Sequence, residues 1–467
     1  MKSKTSQYAW QGYFLLLLTL VAGDIYGQTE VLKWKDGKTS AISITYDGGT
    51  INQFRVALPM MNEMGLPATF YIVTGDITGA EYTGEFIGRD VGKIVEESKT
   101  VKTSLQNLFE RAAAVRYLES TEARLYHTRA GDMFEIGKTD DAFREIDRAF
   151  AAFSKGSLKK DLPGNIFDNP DVNISWDEIK QIASAGHEFG SHSVTHPQLG
   201  IYDMPNMRYE IEKSKEEIVK HLGESHAFSA EIPHGIENPR DMEYAVRFHE
   251  VLRNRMPAPY LEEINRWSRT TPSESGKHYT QWQRGPKSNT SLKAMNAWID
   301  TCLAYENVWL VLTFHGIDGI GYEPKNSADL KAFFNYIKNN ENKIWVATFR
   351  DVVKYIRQRM ASSITHMVES GNLVEDSISL RGSKNIDNDN ERSSIKKIVI
   401  GVRHTLDKSV YNDPLTLKSY LPQGWNDVTV NQRGVALSHE LLNDSGGKYV
   451  IYNALPNIGV ITIHCIE

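Results

Sequence analysis

The sequence predicts an α/β protein in which strands alternate with helices to build a parallel sheet or barrel, followed by a small β-sandwich-like domain. Three observations carry this. The run Ala41–Tyr46 reads as a buried strand; a helix with Phe54, Leu58 and Met61 on one face follows, and then the strand Ala68–Val73, which makes a β-α-β unit. The same alternation resumes near Trp176, with strand candidates at His226–Ile232, Val308–Phe314 and Lys343–Ala347 beside helix-period segments such as Met207–His221 and Asp329–Asn339. Beyond a polar stretch at Ser379–Ser394, short alternating runs recur at Lys397–Val402, Leu415–Tyr420, Asp427–Val430, Lys448–Tyr452 and Ile458–His464.

Residues 1–27 carry Lys2 and Lys4, then an apolar run from Tyr13 to Ala22, then small residues to Gly27. This is the pattern of a signal peptide, and its apolar run falls short of the ~20 residues that span a bilayer. The expectation is export, to the periplasm or beyond the cell, with no stable membrane span. Between the first β-α-β unit and Trp176 lies a charged stretch, about 95–155, with helical spacing of Leu105, Leu108, Ala112, Val115 and Leu118, then Ala142, Ile146, Phe150 and Phe153. It reads as an inserted helical pair, either a solvated excursion or a lid or dimer surface. The stretch Ser379–Ser394, poor in apolar residues, reads as a linker.

Composition narrows the function classes. A net charge of −6 over 467 residues, with no long Lys/Arg block, leaves no basic field for nucleic acid. Two cysteines, Cys302 and Cys465, exclude a disulfide framework and a four-cysteine metal site; each reads as a buried thiol, with a single bridge between them as the alternative.

Three motifs sit where parallel strands end. Thr45-Tyr46-Asp47-Gly48-Gly49 places a carboxylate just past a buried strand, at the edge where barrel enzymes build their sites. Gly190-Ser191-His192-Ser193-Val194-Thr195-His196 places two imidazoles four residues apart, which on a helical turn share one face and suit a divalent metal such as zinc. Leu310-Val311-Leu312-Thr313-Phe314-His315-Gly316 ends a very apolar strand in a histidine suited to general acid work. His187, His221, His226 and His249 read as surface or helix-terminus histidines.

In that order these residues resemble the NodB-homology polysaccharide deacetylases, carbohydrate esterases that remove N- or O-acetyl groups from glycans. The resemblance spans roughly residues 38–360 with 80–165 set aside, and implies a distorted, incomplete (β/α) barrel. It divides the chain into a signal peptide (1–27), a barrel (28–362, helical insertion about 80–165), a linker (363–394) and a C-terminal β domain (395–467). The family's Thr-Phe-Asp-Asp-Gly motif implies Asp47 as the catalytic base and puts Gly48 where a metal-ligating aspartate stands. His192 and His196 match the two metal-ligating imidazoles, and His315 the acid of the Leu-x-His motif, with Thr313 in the leucine's place. The family's Arg-x-Pro-Tyr-Gly loop looks like Glu231-Ile232-Pro233-His234-Gly235, so Pro233, His234 and Gly235 are the expected loop residues at the substrate and the arginine that supports the base is absent from its place. Trp267 is the nearest candidate for the family's Asp/Trp motif.

What the resemblance implies is metal-assisted hydrolysis of an acetylated polysaccharide or oligosaccharide, with zinc, cobalt or nickel as the cofactor. Gly48 leaves two protein ligands where catalytic zinc keeps three. Asp47 turning inward, His234, or substrate and water could supply the third. The alternative is a non-catalytic glycan-binding pseudo-enzyme. The C-terminal domain either braces the barrel or binds carbohydrate, and the oligomeric state is left open.

Overall fold

The computed structural model describes residues 28–159, 174–256, 260, 263–264, 268–273, 277–370 and 395–466. The expected signal peptide, Trp267 and positions 371–394 of the expected linker lie outside them. A short strand β1 (Thr29–Val31) precedes β2 (Ser40–Asp47), β3 (Ala68–Ile72), β4 (Glu188–Ser191), β5 (Ser229–Ala230), β6 (Val251–Leu252), β7 (Glu263–Ile264), β8 (Thr280–Arg284), β9 (Val308–Phe314) and β10 (Ile344–Val346). Strands β2 to β9 form one parallel sheet in the order β6-β5-β4-β3-β2-β9-β8-β7, and β10 pairs with the first half of β2. β6 and β7 end the order as the two edges, so the curled sheet is an incomplete (β/α) barrel.

Strand parity explains what the sheet presents. In β2 and β9, Ile42, Ile44, Tyr46, Leu310, Leu312 and Phe314 pack under the helices, with Phe54, Phe70 and Phe189 stacking beside them. Because side chains alternate across a strand, Ser43, Thr45 and Asp47 of β2 and Trp309, Val311 and Thr313 of β9 face the barrel interior, where Trp309 Nε1 donates to Ser43 Oγ at 3.1 Å. Burying each of these large side chains contributes about 1.5–3 kcal/mol.

The insertion holds four helices, Val91–Ser98, Leu108–Val115, Thr121–Glu135 and Thr139–Ser154, rather than the expected pair. The two that spacing finds are Leu108–Val115 and Thr139–Ser154; Val91–Ser98 is only eight residues long, and Thr121–Glu135 buries Ala123, His127, Thr128, Ala130 and Gly131, small and polar residues that show no apolar period. Ile94, Leu108, Ala112, Val115, Ile146 and Phe150 form their core, while Leu105 and Phe153 stay exposed.

Beyond the helix Phe349–Ala361 come β11 (Ser363–Ser370), β12 (Ile395–Arg403), β13 (Leu415–Tyr420), β14 (Val428–Gln432), β15 (Val435–Ala436), β16 (His439–Asp444), β17 (Gly447–Ala454) and β18 (Val460–Cys465). Two antiparallel sheets, β1-β13-β17-β16 and β11-β12-β18-β14-β15, enclose Ile398, Ile400, Leu415, Leu417, Val430, Val450, Ile461 and Ile463. Two features differ from the sequence reading. β1, from the start of the described chain, completes one sheet by pairing Thr29 with Ser419, and Ser363–Ser370, at the start of the segment read as linker, is a strand along β12. Tyr355, from the barrel's last helix, enters the sandwich core and donates to Leu32 O at 2.9 Å. Both cysteines are free, Cys302 buried and Cys465 half-buried.

His187 and His249 are buried rather than at the surface. His187 Nδ1 accepts from the Ala68 N–H at 3.1 Å and its Nε2 lies 2.8 Å from Asn62 Oδ1, a pattern only the neutral ring satisfies. Burial pushes His187 down to about 4, and His249 likewise to about 4. The unfolded chain therefore takes these protons first, so the stability they confer is complete above pH ~6.5 and is lost as pH falls toward 4, at up to ~1.4 kcal/mol per pH unit for each ring. The melting temperature followed by circular dichroism is expected to fall already between pH 6.5 and 4.5; a flat profile there would contradict this.

Candidate active site

Interior parity brings one residue from each of five strand ends together. Thr45 pairs with Thr313 and Tyr46 with Phe314, so the next residues outward, Asp47 and His315, stand side by side, with His315 Nε2 3.5 Å from Asp47 Oδ2. Ala230 pairs with Leu252, which sets Glu231 beside Arg253 in the same way. Phe189 packs under the helices, so His192 beyond β4 shares the interior parity of Glu188 and Gly190. A Cβ on Gly190 would meet the Tyr71 ring at 2.7 Å, so glycine is what lets that ring lie beneath the site.

Arg253 is the residue the sequence reading missed. Its side chain is fully buried; Nη2 donates to Asp47 Oδ2 at 2.6 Å and lies 2.9 Å from Glu231 Oε1, Nε donates to Glu231 Oε2 at 3.2 Å, and Nη1 donates to Thr45 Oγ1 at 2.5 Å. The guanidinium also lies 4.9 Å from the Tyr71 ring centroid. The support for the base that the resemblance places at position 231 thus arrives from the next strand, and position 231 carries its counter-charge. Burial raises the Asp47 pKa, but Arg253 first, then His315 and His192, outweigh it and hold the carboxyl well below the usual carboxylate range. Oδ2 is committed to Arg253, whereas Oδ1 is buried and makes no hydrogen bond.

The two motif histidines sit on a tightly wound loop. His192 Nδ1 lies 2.8 Å from Glu231 O, and because a carbonyl only accepts, Nδ1 carries the proton and Nε2 is the basic nitrogen. Burial lowers the pKa of His192, and it pushes His196 well below the ordinary value. The Glu210 carboxylate accepts from the Val194 N–H at 2.9 Å and the Thr195 N–H at 2.8 Å, while Arg116 of the insertion donates to Thr195 O at 2.7 Å. The insertion is therefore docked on this loop. His196 packs against His192 with ring centroids 4.7 Å apart and against His234 at 4.6 Å. His234, with its pKa pushed down to about 3 chiefly by burial, also hydrogen-bonds the backbone of His196. Ser193, His196 and His234 all have positive φ, at 68°, 57° and 63°. Each such residue costs roughly 1–3 kcal/mol, a strain that concentrates at functional sites. Pro233 is buried at the head of this turn, and Gly235 follows at φ 69°.

The implied metal does not fit the donors present. Among the described residues no group of three or more His, Cys, Asp or Glu side chains is arranged to hold a metal ion. Position 48 supplies no side chain, and a Cβ there would have nothing within 4 Å. His234 lies against His196, yet the three rings do not make a ligand set.

A carboxylate and a histidine thus meet at the carboxyl ends of adjacent parallel strands, the edge at which (β/α) scaffolds build their sites. The family model described as polysaccharide deacetylase matches residues 140–251, which takes in the His192–His196 loop and Glu231–Gly235, in agreement with the resemblance. A gellan lyase from Bacillus sp is 21% identical over 297 residues, covering 61% of this chain and 11% of its own, so the chain spans about a tenth of that relative's length. Among solved structures, a family 4 carbohydrate esterase from Bacillus anthracis is 14% identical, with 68% of this chain and 83% of that one covered at a TM-score of 0.30. One from Streptomyces lividans in complex with acetate is 12% identical, with 66% and 92% covered at a TM-score of 0.30. Among the described residues no helix is long and apolar enough to cross a membrane.

Proposed function

We propose that this chain is an exported carbohydrate deacetylase, acting on the acetyl groups of a polysaccharide or oligosaccharide, in which Asp47 is the base and His315 the acid. The observation that carries the reading is the Asp47–His315 contact at adjacent strand ends beside His192 and His196. Asp47 Oδ1 is the oxygen left without a hydrogen bond, since Oδ2 is occupied by Arg253, and it would take the proton of a water admitted beside it with the substrate. His315, 30% exposed, can exchange protons with solvent and, as imidazolium, protonate the leaving amine or alkoxide. His192 and His196 would be the two imidazoles for a divalent metal, zinc or in its place cobalt or nickel, but with Gly48 where a third donor would stand the residues present do not complete a site for it. Pro233, His234 and Gly235 line the substrate loop, the insertion steadies the histidine loop, and the β domain braces the barrel through Tyr355.

The second reading, a glycan-binding protein without turnover, is favoured by the absence of a three-donor set among the described residues. A panel of acetylated oligosaccharides scored for both binding and acetate release separates the two. Binding with release supports the deacetylase, binding without release supports the second reading, and neither would remove both.

Gly48→Asp adds the missing donor into open space. Gly48 has φ 84°, a conformation aspartate tolerates better than most residues. Calorimetric zinc affinity is expected to rise about 100-fold or more in this variant as the third ligand completes the set, and to be lost again in Gly48→Asp/His192→Ala. No gain would mean that the carboxylate cannot reach the imidazoles.

A further inference from the structure

Past His315 the chain folds back on itself at residues 316–325 rather than leaving the barrel mouth. The Gly316 N–H donates to Tyr322 O at 2.8 Å, the Lys325 N–H to Gly316 O at 3.0 Å and the Asp318 N–H to Lys325 O at 3.0 Å. A Cβ on Gly316 would meet the Ile320 carbonyl oxygen at 2.4 Å, so the two arms approach as closely as backbones can. Two charged side chains clamp this loop to its neighbour. Lys325, almost fully buried, donates Nζ to Ser288 O at 3.2 Å and Thr290 O at 2.7 Å, and the Glu323 carboxylate accepts from Ser288 N–H at 2.7 Å and Oγ–H at 2.8 Å. At the base of this clamped loop, opposite Gly316, stands Tyr322, 45% exposed, its ring 5.3 Å from the His315 ring and nearly perpendicular to it.

We propose that Tyr322 is a substrate-positioning residue: its ring is a platform on which a pyranose of the glycan stacks next to His315. The inference rests on the deacetylase reading and deepens it by naming the sugar contact. The C–H groups on a pyranose face carry partial positive charge and meet the negative face of an aromatic ring favourably, while that apolar face leaves water. A tyrosine has few rotors to freeze, and the clamped backbone leaves little more to order on binding. Held there, the sugar presents its acetyl-bearing edge to His315 at a fixed distance, which is what a proton transfer to the leaving atom needs.

The test uses the full chain with two probes, N-acetylglucosamine pentamer and O-acetylated xylo-oligosaccharides, and follows both calorimetric binding and acetate release. Tyr322→Ala is expected to raise Kd and KM by about 10-fold or more, on the scale of ring stacking in other ligands, with a smaller change in kcat. Tyr322→Phe is expected to stay within about twofold of wild type, because the ring rather than the hydroxyl carries the contact. An alanine variant that melts like wild type and binds both probes like wild type overturns the proposal, as does a phenylalanine variant as impaired as alanine. Wild-type binding without acetate release overturns the deacetylase reading alone, with the platform still decided by the binding comparison. No wild-type binding of either probe overturns both.

Discussion

Replacing Arg253 with methionine is expected to lower the free energy of unfolding by about 3–5 kcal/mol, because it strands two buried carboxylates. Asp47 and Glu231 are both almost fully buried, and in the folded chain the one guanidinium bonds to each of them. Methionine fills much of the volume but leaves the negative charges facing each other in a low-dielectric interior. The pH dependence gives the signature. In wild type the depressed Asp47 contributes stability that is present above the ordinary aspartate pKa near 3.9 and is lost as pH falls toward its folded value. Without Arg253, burial dominates and raises the Asp47 pKa, so the variant's deficit should shrink as pH is lowered from 7 to 5, where the stranded Asp47 carboxylate can protonate. Urea unfolding at both pH values reads this directly. A deficit below ~1 kcal/mol, or one that does not change with pH, would mean the triad does not hold the site together. The exchanged pair Glu231→Arg/Arg253→Glu returns a guanidinium to the same space from β5, and is expected to recover more than half of the loss.

Asp47→Asn is expected to reduce acetate release by about 10²- to 10⁴-fold, the range for loss of a positioned general base. Asparagine keeps the shape and still offers Arg253 an oxygen, so binding of the same oligosaccharides should change little. Because Asp47 stays charged far below the ordinary carboxylate range, the wild-type rate should show no acidic limb from this residue near pH 4. Release that survives in the asparagine variant would move the base elsewhere, while loss of glycan binding along with release would make Asp47 a substrate contact.

Much of the site was legible because its signals are local. Asp47 ends and His315 follows a strand whose buried run is visible in the residues, while His192 is found by its spacing from His196 beyond the short strand Glu188–Ser191, and strand parity carries all three into the barrel interior. Arg253 follows only two strand residues, Val251 and Leu252, too few to show any period, and nothing local distinguishes it from the nearby Arg255. The same shortness hid β5, where His226–Ile232 looked like a full strand and only Ser229–Ala230 pairs.

By itself, then, the sequence determined the α/β class, the insertion, the β domain and the strand-end positions of Asp47, His315 and the paired histidines, since each depends on hydrophobic pattern and residue type over a few neighbours. Only the tertiary structure decided which cation sits against Asp47, that Tyr322 stands beside His315, and that Thr29 pairs with Ser419 across 390 positions. Those contacts are set by the register between strands and the close packing of loops, and a register is a property of two segments meeting in space that neither carries alone.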